Sequence, residues 1–341
     1  MSSNRGRRWA FQALKIVLPI GIFAYLLSSV DQADYAAFWD GEKRWELVLA
    51  AQTIALLAIL LSFFRWWLLV RAFGISFAPR EALRLGFLGY LLNFVSFGSV
   101  GGDLFKAILV ARDKPEKRPE AVTSVLLDRA MGLLGLVALA WICLSVVDVS
   151  QLSPTLRSIR FGAGIVCTVG IIGLLASIFA GNWFDRLLTR IQTLPVAGDT
   201  IARMARAIRR LRGQPLVLVA IAFVSVCVHA LLASSVYLIS AGFYSEHPTL
   251  AEHLMVVPPA MAAGTLPLAP GGLGYQEGAL AGLFKVLPDV PESFSGILVA
   301  TIYRLLTLTA AGIGLVIYLL SQDSAVDVEA DVEDASTSEP S

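Results

Sequence analysis

The stretch SFGSVGGDLFKA, residues 96–107, interrupts one of the most apolar segments of the chain with glycines and then with two charged side chains. Gly98, Gly101 and Gly102 are followed by Asp103 and Lys106. Glycine weakens a continuous helix, and a charged side chain is costly in hydrocarbon. The stretch therefore predicts a turn of the chain rather than an uninterrupted helix.

The composition places this break in an integral membrane protein. Of the 341 residues, 56% are hydrophobic and only 16% are charged, whereas soluble proteins contain about 25% charged residues. Apolar runs long enough to cross a bilayer, at about 20 residues per crossing, recur along the chain and leave no room for a sizeable soluble domain. We predict eight apolar segments, at approximately residues 9–30, 46–70, 85–111, 120–147, 161–180, 214–243, 254–287 and 294–320.

Basic residues between the segments predict their orientation under the positive-inside rule. The arginine-rich N-terminus, residues 1–8, is predicted to be cytoplasmic, and so is the arginine-rich loop at 181–212. If segment 85–111 crossed completely, the basic cluster ARDKPEKRPE at 111–120 would lie outside. Both flanks of that segment favour the cytoplasm, which predicts a re-entrant hairpin that turns at the glycines.

A second break, TLPLAPGGLGYQEGA at residues 265–279, predicts a second re-entrant hairpin, because its prolines and glycines do not continue one helix. The expected fold is an all-α polytopic membrane protein with about six full spans plus two broken-helix hairpins. We assign residues 9–320 to one transmembrane domain with halves at about 9–147 and 161–320. The acidic tail at 321–341 is expected to be disordered.

Each break precedes a long apolar segment that contains an arginine. Asp103 lies 26 residues before Arg129, and Glu277 lies 27 residues before Arg304. Each arginine falls about 15 Å along its predicted helix and hence close to the middle of the bilayer. Two halves that share this order and enter from opposite faces predict an inverted repeat, from which many transporters build a central site.

Charged side chains near the bilayer centre need partners, since each costs about 2.5 to 3.5 kcal/mol on insertion scales. Asp103 and Lys106 can pair at i and i+3, whereas Asp128 and Arg129 are adjacent and do not face each other on a helix. Their partners must come from other segments. Mutual neutralisation and a substrate-facing role both stay open for these charges.

The turns and the arginines together predict a site for an anion. Backbone N–H groups at the start of a half-helix favour negative charge, and two such ends beside two arginines suit a phosphate. No metal-ligand or cofactor motif accompanies them, so neither is expected. We predict a lipid headgroup site formed by Arg129, Arg304, Gly101, Gly102, Gly271 and Gly272, with Asp103, Lys106, Asp128 and Glu277 providing charge balance or coupling.

Three further side chains lie in or beside apolar segments. Arg65 is close enough to the cytoplasmic end of its segment to snorkel to the interface. His229 is expected to make an interhelical hydrogen bond. His253, which follows Glu252, is expected to lie in a solvated loop.

The order of these motifs resembles the lysylphosphatidylglycerol synthase transmembrane-region family of flippase-like integral membrane proteins. The similarity runs over most of residues 10–320 and rests on Asn93 with the GGD motif, the Asp-Arg pair in SVLLDR, LPLAPGGLGYQEGA and Arg304. The resemblance implies translocation of a phospholipid or a polyprenyl-linked lipid. Bifunctional members carry an aminoacyl-transferase domain after the membrane region, where this chain has its acidic tail, so aminoacyl-lipid synthesis is not expected.

We therefore expect a multi-pass protein of the inner cell membrane that moves an anionic phospholipid or a polyprenyl-phosphate-linked lipid between leaflets and is not an enzyme. Membrane lipids are its expected partners; nucleic acid and soluble proteins are not indicated, and a homo-oligomer stays open. Two alternatives also stay open. One is an intramembrane lipid-modifying enzyme that uses Asp128 and Glu277 as acid and base, and the other is a membrane scaffold whose charges only hold helices together.

Overall fold

The computed structural model describes residues 42–95, 101–179, 211–265 and 274–320, with the single residues 28, 190, 192, 206 and 272. Regular structure in these residues is entirely helical, with short 3₁₀ turns between some helices. The N-terminus at 1–8, the acidic tail at 321–341 and nearly all of the arginine-rich loop lie outside the described residues. The helices are α1 (Trp45–Ala72), α2 (Pro79–Val95), α3 (Gly101–Asp113), α4 (Arg118–Val146), α5 (Pro154–Phe179), α6 (Pro215–Phe243), α7 (Leu250–Gly264), α8 (Tyr275–Phe284) and α9 (Gly296–Leu320).

Five of these helices, α1, α4, α5, α6 and α9, are long and apolar enough to cross a membrane. They coincide with five of the six predicted full spans, and the sixth, at 9–30, falls almost wholly outside the described residues. The prediction of an all-α polytopic membrane protein is confirmed at this level. The total number of spans stays a prediction.

Each segment that was predicted to contain a break consists of two helices that pack against each other, α2 with α3 and α7 with α8. The turns themselves, at 96–100 and 266–271, lie outside the described residues. The helix starts follow local signals: Glu81 accepts the Ala78 N–H at 2.8 Å before α2, and α7 begins with a Thr249–Glu252 capping box. Re-entry of the two pairs into a bilayer stays a prediction.

The described helices fall into two sets with the same order: a long helix, two short helices and a second long helix. Helices α1 to α4 form the first set and α6 to α9 form the second. The largest helix contact joins α1 to α6, and the sets also pack reciprocally, α2 against α9 and α7 against α4. This correspondence supports the predicted repeat, whereas the opposite orientation of its halves stays a prediction. Helix α5 lies beside α4.

Pairs of glycines bring the short helices into close contact at equivalent places. A methyl group on Gly102, at the start of α3, would lie 1.8 Å from the carbonyl oxygen of Gly89 in α2. A methyl group on Gly272, which has φ +69°, would lie 2.3 Å from the carbonyl oxygen of Gly264 at the end of α7. No larger residue fits either contact. In both sets the start of the second short helix is therefore held against the first.

Candidate functional site

The first cluster of charges joins the first turn of α3 to the middle of α4. Arg129 Nε donates to Asp103 Oδ2, and Lys106 Nζ lies 3.5 Å from Asp103 Oδ1. Asp103 and Lys106 are both buried, whereas the Arg129 side chain is 38% exposed. Two cations thus share one carboxylate, and the cation on α4 is the more accessible of the two.

Aromatic rings of α1 hold Lys106 in this cluster. Its Nζ lies 5.3 Å from the ring centre of Trp66 and 5.7 Å from that of Phe63. A ring face attracts a cation, and more strongly where water is excluded. Lys106 is therefore stabilised by two rings and a carboxylate while its side chain is only 10% exposed.

The second cluster repeats this chemistry at the start of α8. Glu277 Oε1 accepts a hydrogen bond of 2.6 Å from Arg304 of α9, while Glu277 Oε2 accepts the Gly274 N–H at 2.8 Å. Gln276 Oε1 lies 3.4 Å from Arg304 Nη2. Only 2% of the Glu277 side chain and 7% of the Arg304 side chain are exposed. In both sets a carboxylate in the first turn of a short helix bonds the arginine of the next long helix, but the second pair is occluded.

Helix α2 contacts both clusters through consecutive residues near its end. Asn93 Oδ1 accepts the Gly102 N–H at 3.0 Å, which caps α3 beside Asp103. The guanidinium carbon of Arg304 lies 5.8 Å from the ring centre of Phe94. A movement of this turn of α2 would therefore change contacts in both clusters.

A third buried charge pair lies between α1 and α4. Arg65 Nε donates to Asp128 Oδ1 at 2.8 Å, and Arg65 Nη1 donates to Ser225 Oγ of α6 at 3.1 Å. The prediction that Arg65 snorkels is wrong, because this carboxylate and hydroxyl hold its guanidinium inside the helix bundle, where it is 6% exposed. Asp128 and the adjacent Arg129 have partners on different helices, as predicted from their spacing.

The two histidines have different outcomes. His229 Nε2 lies 3.0 Å from the Gly132 carbonyl oxygen of α4, which confirms the expected interhelical hydrogen bond. His253 is fully buried in α7, with Nε2 2.8 Å from Ser240 Oγ and Nδ1 2.9 Å from the Thr249 carbonyl oxygen. The predicted solvated loop is wrong at this position, because α7 has already begun and packs against α6. The described part of the chain contains no group of side chains arranged for a metal ion.

The predicted headgroup residues that the structure describes belong to these two clusters, both of which contact α2, and their union in one headgroup site stays a prediction. Gly101 begins α3, and the Gly102 N–H donates to Asn93. Gly272 lies just before α8, whereas Gly271 is outside the described residues. Asp128 belongs to the separate pair with Arg65, a residue that the sequence did not indicate as part of the charge network.

The family comparison agrees with this architecture. No curated protein and no solved structure matches the chain. The family model described as "Lysylphosphatidylglycerol synthase TM region" matches residues 12–314, which include all three charge pairs and confirm the resemblance noted in the sequence. The chain belongs to the lysylphosphatidylglycerol synthase TM region family.

Proposed function

We propose that this protein moves the headgroup of an anionic lipid, a phospholipid or a polyprenyl-phosphate-linked lipid, between the leaflets of the inner cell membrane. In this proposal the N-terminus is cytoplasmic and the lipid undergoes no covalent change. Membership in the family and five apolar helices of spanning length support a role within the bilayer. The arginine clusters supply the chemistry that a phosphate requires.

The observation that carries the proposal is the charge arrangement around Asp103. Arg129 and Lys106 share its single negative charge, and Arg129 is the accessible member. A lipid phosphate can replace Asp103 as the partner of Arg129, while Lys106 remains beside the carboxylate and keeps it neutralised. Headgroup binding would then exchange one ion pair for another and leave no buried charge uncompensated.

The second cluster offers the same exchange in an occluded form. A phosphate can reach Arg304 only if this cluster opens, because the Arg304 and Glu277 side chains are almost fully buried. One accessible and one closed cluster of the same chemistry fit a transporter that opens its two halves in turn. Because α2 contacts both clusters, its movement could couple the opening of one cluster to the closing of the other in the proposed cycle.

A leaflet-resolved assay tests the proposal. Purified protein is placed in liposomes that carry a fluorescent anionic lipid in the inner leaflet, and the appearance of that lipid outside is followed. We expect transport by the wild type and its loss in Arg129→Ala and Arg304→Ala. Arg80→Ala is a matched control, since Arg80 is exposed at the start of α2, and it should transport normally. A monodisperse Arg129→Ala/Arg304→Ala protein with full activity would overturn the proposal.

The pairing of the buried charges also favours one rival, a membrane scaffold in which they only join helices. Asp103, Asp128 and Glu277 all lie in ion pairs between helices. A scaffold should keep its function when both partners of a pair become uncharged, whereas a transporter should lose it when the arginine is removed. The enzyme alternative is less supported, because Asp128 and Glu277 bond different arginines in different clusters.

A further inference from the structure

A groove of about 590 Å³ runs between α4 and α5 and shares no residue with the charge clusters. Its α5 wall repeats every three or four residues from Arg157 to Val169, which is one face of the helix. Trp141 of α4 and Val149 of the connecting turn also line it. The volume lies within the range of about 300 to 1,000 Å³ that is typical of small-molecule sites.

One end of the groove is positively charged. Arg157 Nε donates to the Leu152 carbonyl oxygen at 2.9 Å, and Arg160 Nη1 donates to the Val147 carbonyl oxygen at 3.4 Å. These bonds hold the guanidinium groups against the turn between α4 and α5. Each guanidinium has further N–H donors that can point to a ligand.

Among the described residues, one acid, Asp148, interacts with Arg160. The charge of Asp148 acts on Arg160, and the Ser150 N–H and hydroxyl both lie 2.9 Å from Asp148 Oδ1. These two hydrogen bonds lower the pKa of the Asp148 carboxyl below its ordinary value, so it is ionised at neutral pH. Counted over the described residues, Arg157, Arg160 and Asp148 leave this end of the groove with a net positive charge.

The rest of the groove is apolar and has the length of one leaflet. At about 1.5 Å per residue, Arg157 and Val169 are separated by about 18 Å along α5, and half of the hydrocarbon core is about 15 Å thick. Trp141 and Ile165 present exposed apolar surface. The Thr168 hydroxyl donates to a carbonyl oxygen of its own helix at 2.7 Å, so its hydrogen does not need an acceptor from a ligand.

We propose that this groove binds one anionic phospholipid, with its phosphate on Arg157 and Arg160 and one acyl chain along Trp141 and Ile165. In the predicted orientation, in which the arginine-rich N-terminus and the loop at 181–212 are cytoplasmic, Arg157 and Arg160 lie at the outer leaflet. The groove is a binding site beside α5, separate from the transport pathway proposed above. Its occupancy therefore does not depend on whether the protein transports lipid.

Quenching of tryptophan fluorescence tests the site. The delipidated full-length protein in detergent is titrated with phosphatidylglycerol or phosphatidylcholine that carry the same brominated acyl chains. Because the chain contains seven tryptophans, the signal of Trp141 is the difference between the wild type and Trp141→Phe. We expect this signal to be quenched at lower concentrations of phosphatidylglycerol than of phosphatidylcholine.

Charge variants then identify the headgroup contacts. Arg157→Gln/Arg160→Gln should weaken the affinity for phosphatidylglycerol about thirtyfold, because each arginine near an anionic lipid contributes about fivefold. The affinity for phosphatidylcholine should not change. Arg157→Lys/Arg160→Lys keeps the charges and should keep most of the preference, which separates loss of charge from loss of folding. Arg80→Gln/Arg84→Gln removes two charges from the exposed start of α2 and should have no effect.

Three results would overturn the proposal. The first is equal quenching of Trp141 by both lipids. The second is an unchanged affinity for phosphatidylglycerol in a folded Arg157→Gln/Arg160→Gln protein. The third is a dimer whose Trp141 is quenched by neither lipid, which would assign the groove to a second copy of the chain.

Discussion

Arg304→Met should destabilise the protein strongly, and a second substitution at its partner should restore most of the loss. The Glu277 side chain is 2% exposed and bonds Arg304 at 2.6 Å. Without the arginine, its buried charge keeps the hydrogen bond from the Gly274 N–H and loses the ion pair. Removal of one partner from a buried ion pair costs about 3–5 kcal/mol, and we expect a free-energy loss of this size.

The double variant Arg304→Met/Glu277→Gln removes both charges and keeps an oxygen that accepts the Gly274 N–H. Because apolar or neutral replacement of a whole buried pair is often neutral, its stability should return to within about 1 kcal/mol of the wild type. Arg129→Met is the comparison in the first cluster. It should cost only about 1 kcal/mol, since Arg129 is 38% exposed and Asp103 keeps Lys106.

Denaturant unfolding in detergent, followed by fluorescence, measures these stabilities, and the liposome assay measures transport by the same proteins. A transporter that uses Arg304 predicts a double variant that is stable and inactive. If Arg304→Met unfolds with the wild-type free energy, the charge pair does not stabilise the bundle as argued. If the double variant transports at the wild-type rate, Arg304 does not hold the headgroup and the scaffold is the better account.

Three further substitutions test the surrounding structure. Gly102→Ala would place its methyl 1.8 Å from a carbonyl oxygen of α2 and should abolish the monodisperse peak in size-exclusion chromatography; Gly312→Ala, whose methyl has nothing within 4 Å, should not. Arg65→Met should lower the free energy of unfolding by about 3–5 kcal/mol and Arg65→Met/Asp128→Asn by much less; equal losses would argue against a coupled pair. Asn93→Ala removes the cap of α3 and should cost about 1 kcal/mol, measured by denaturant unfolding, and an unchanged midpoint would show that the cap does not contribute.

The sequence was sufficient for those features that depend on order along the chain. Charges in apolar segments require partners, and the matching intervals between Asp103 and Arg129 and between Glu277 and Arg304 predicted equivalent positions in two repeats, although not that each acid bonds that arginine. Both pairs are present in the structure. The two glycine-rich breaks likewise separate helices as predicted, because proline and glycine act locally on the backbone.

Features that depend on which helices are neighbours could not be predicted in the same way. Arg65 bonds Asp128 because α1 lies beside α4. The positive-inside rule predicts the orientation of each span but does not predict which spans are in contact. A search for the missing partner of Asp128 could still have found it, since Arg65 is a cation inside an apolar segment. His253 is buried by Ser240 of α6 and Phe284 of α8, two residues from other helices that its position after Glu252 does not indicate.

The reciprocal packing of α2 on α9 and of α7 on α4 has a consequence for biosynthesis. Proteins are made from the N-terminus onward, so α2 is synthesised well before α9, the helix that packs against it. The first charge cluster can form early, because its residues lie on α3 and α4. Helix α2, which bonds the start of α3 through Asn93, stays incompletely packed until α9, the last described helix, has been translated. A ribosome that stalls before α9 therefore leaves both halves of the molecule unfinished, although the first half is already complete in sequence.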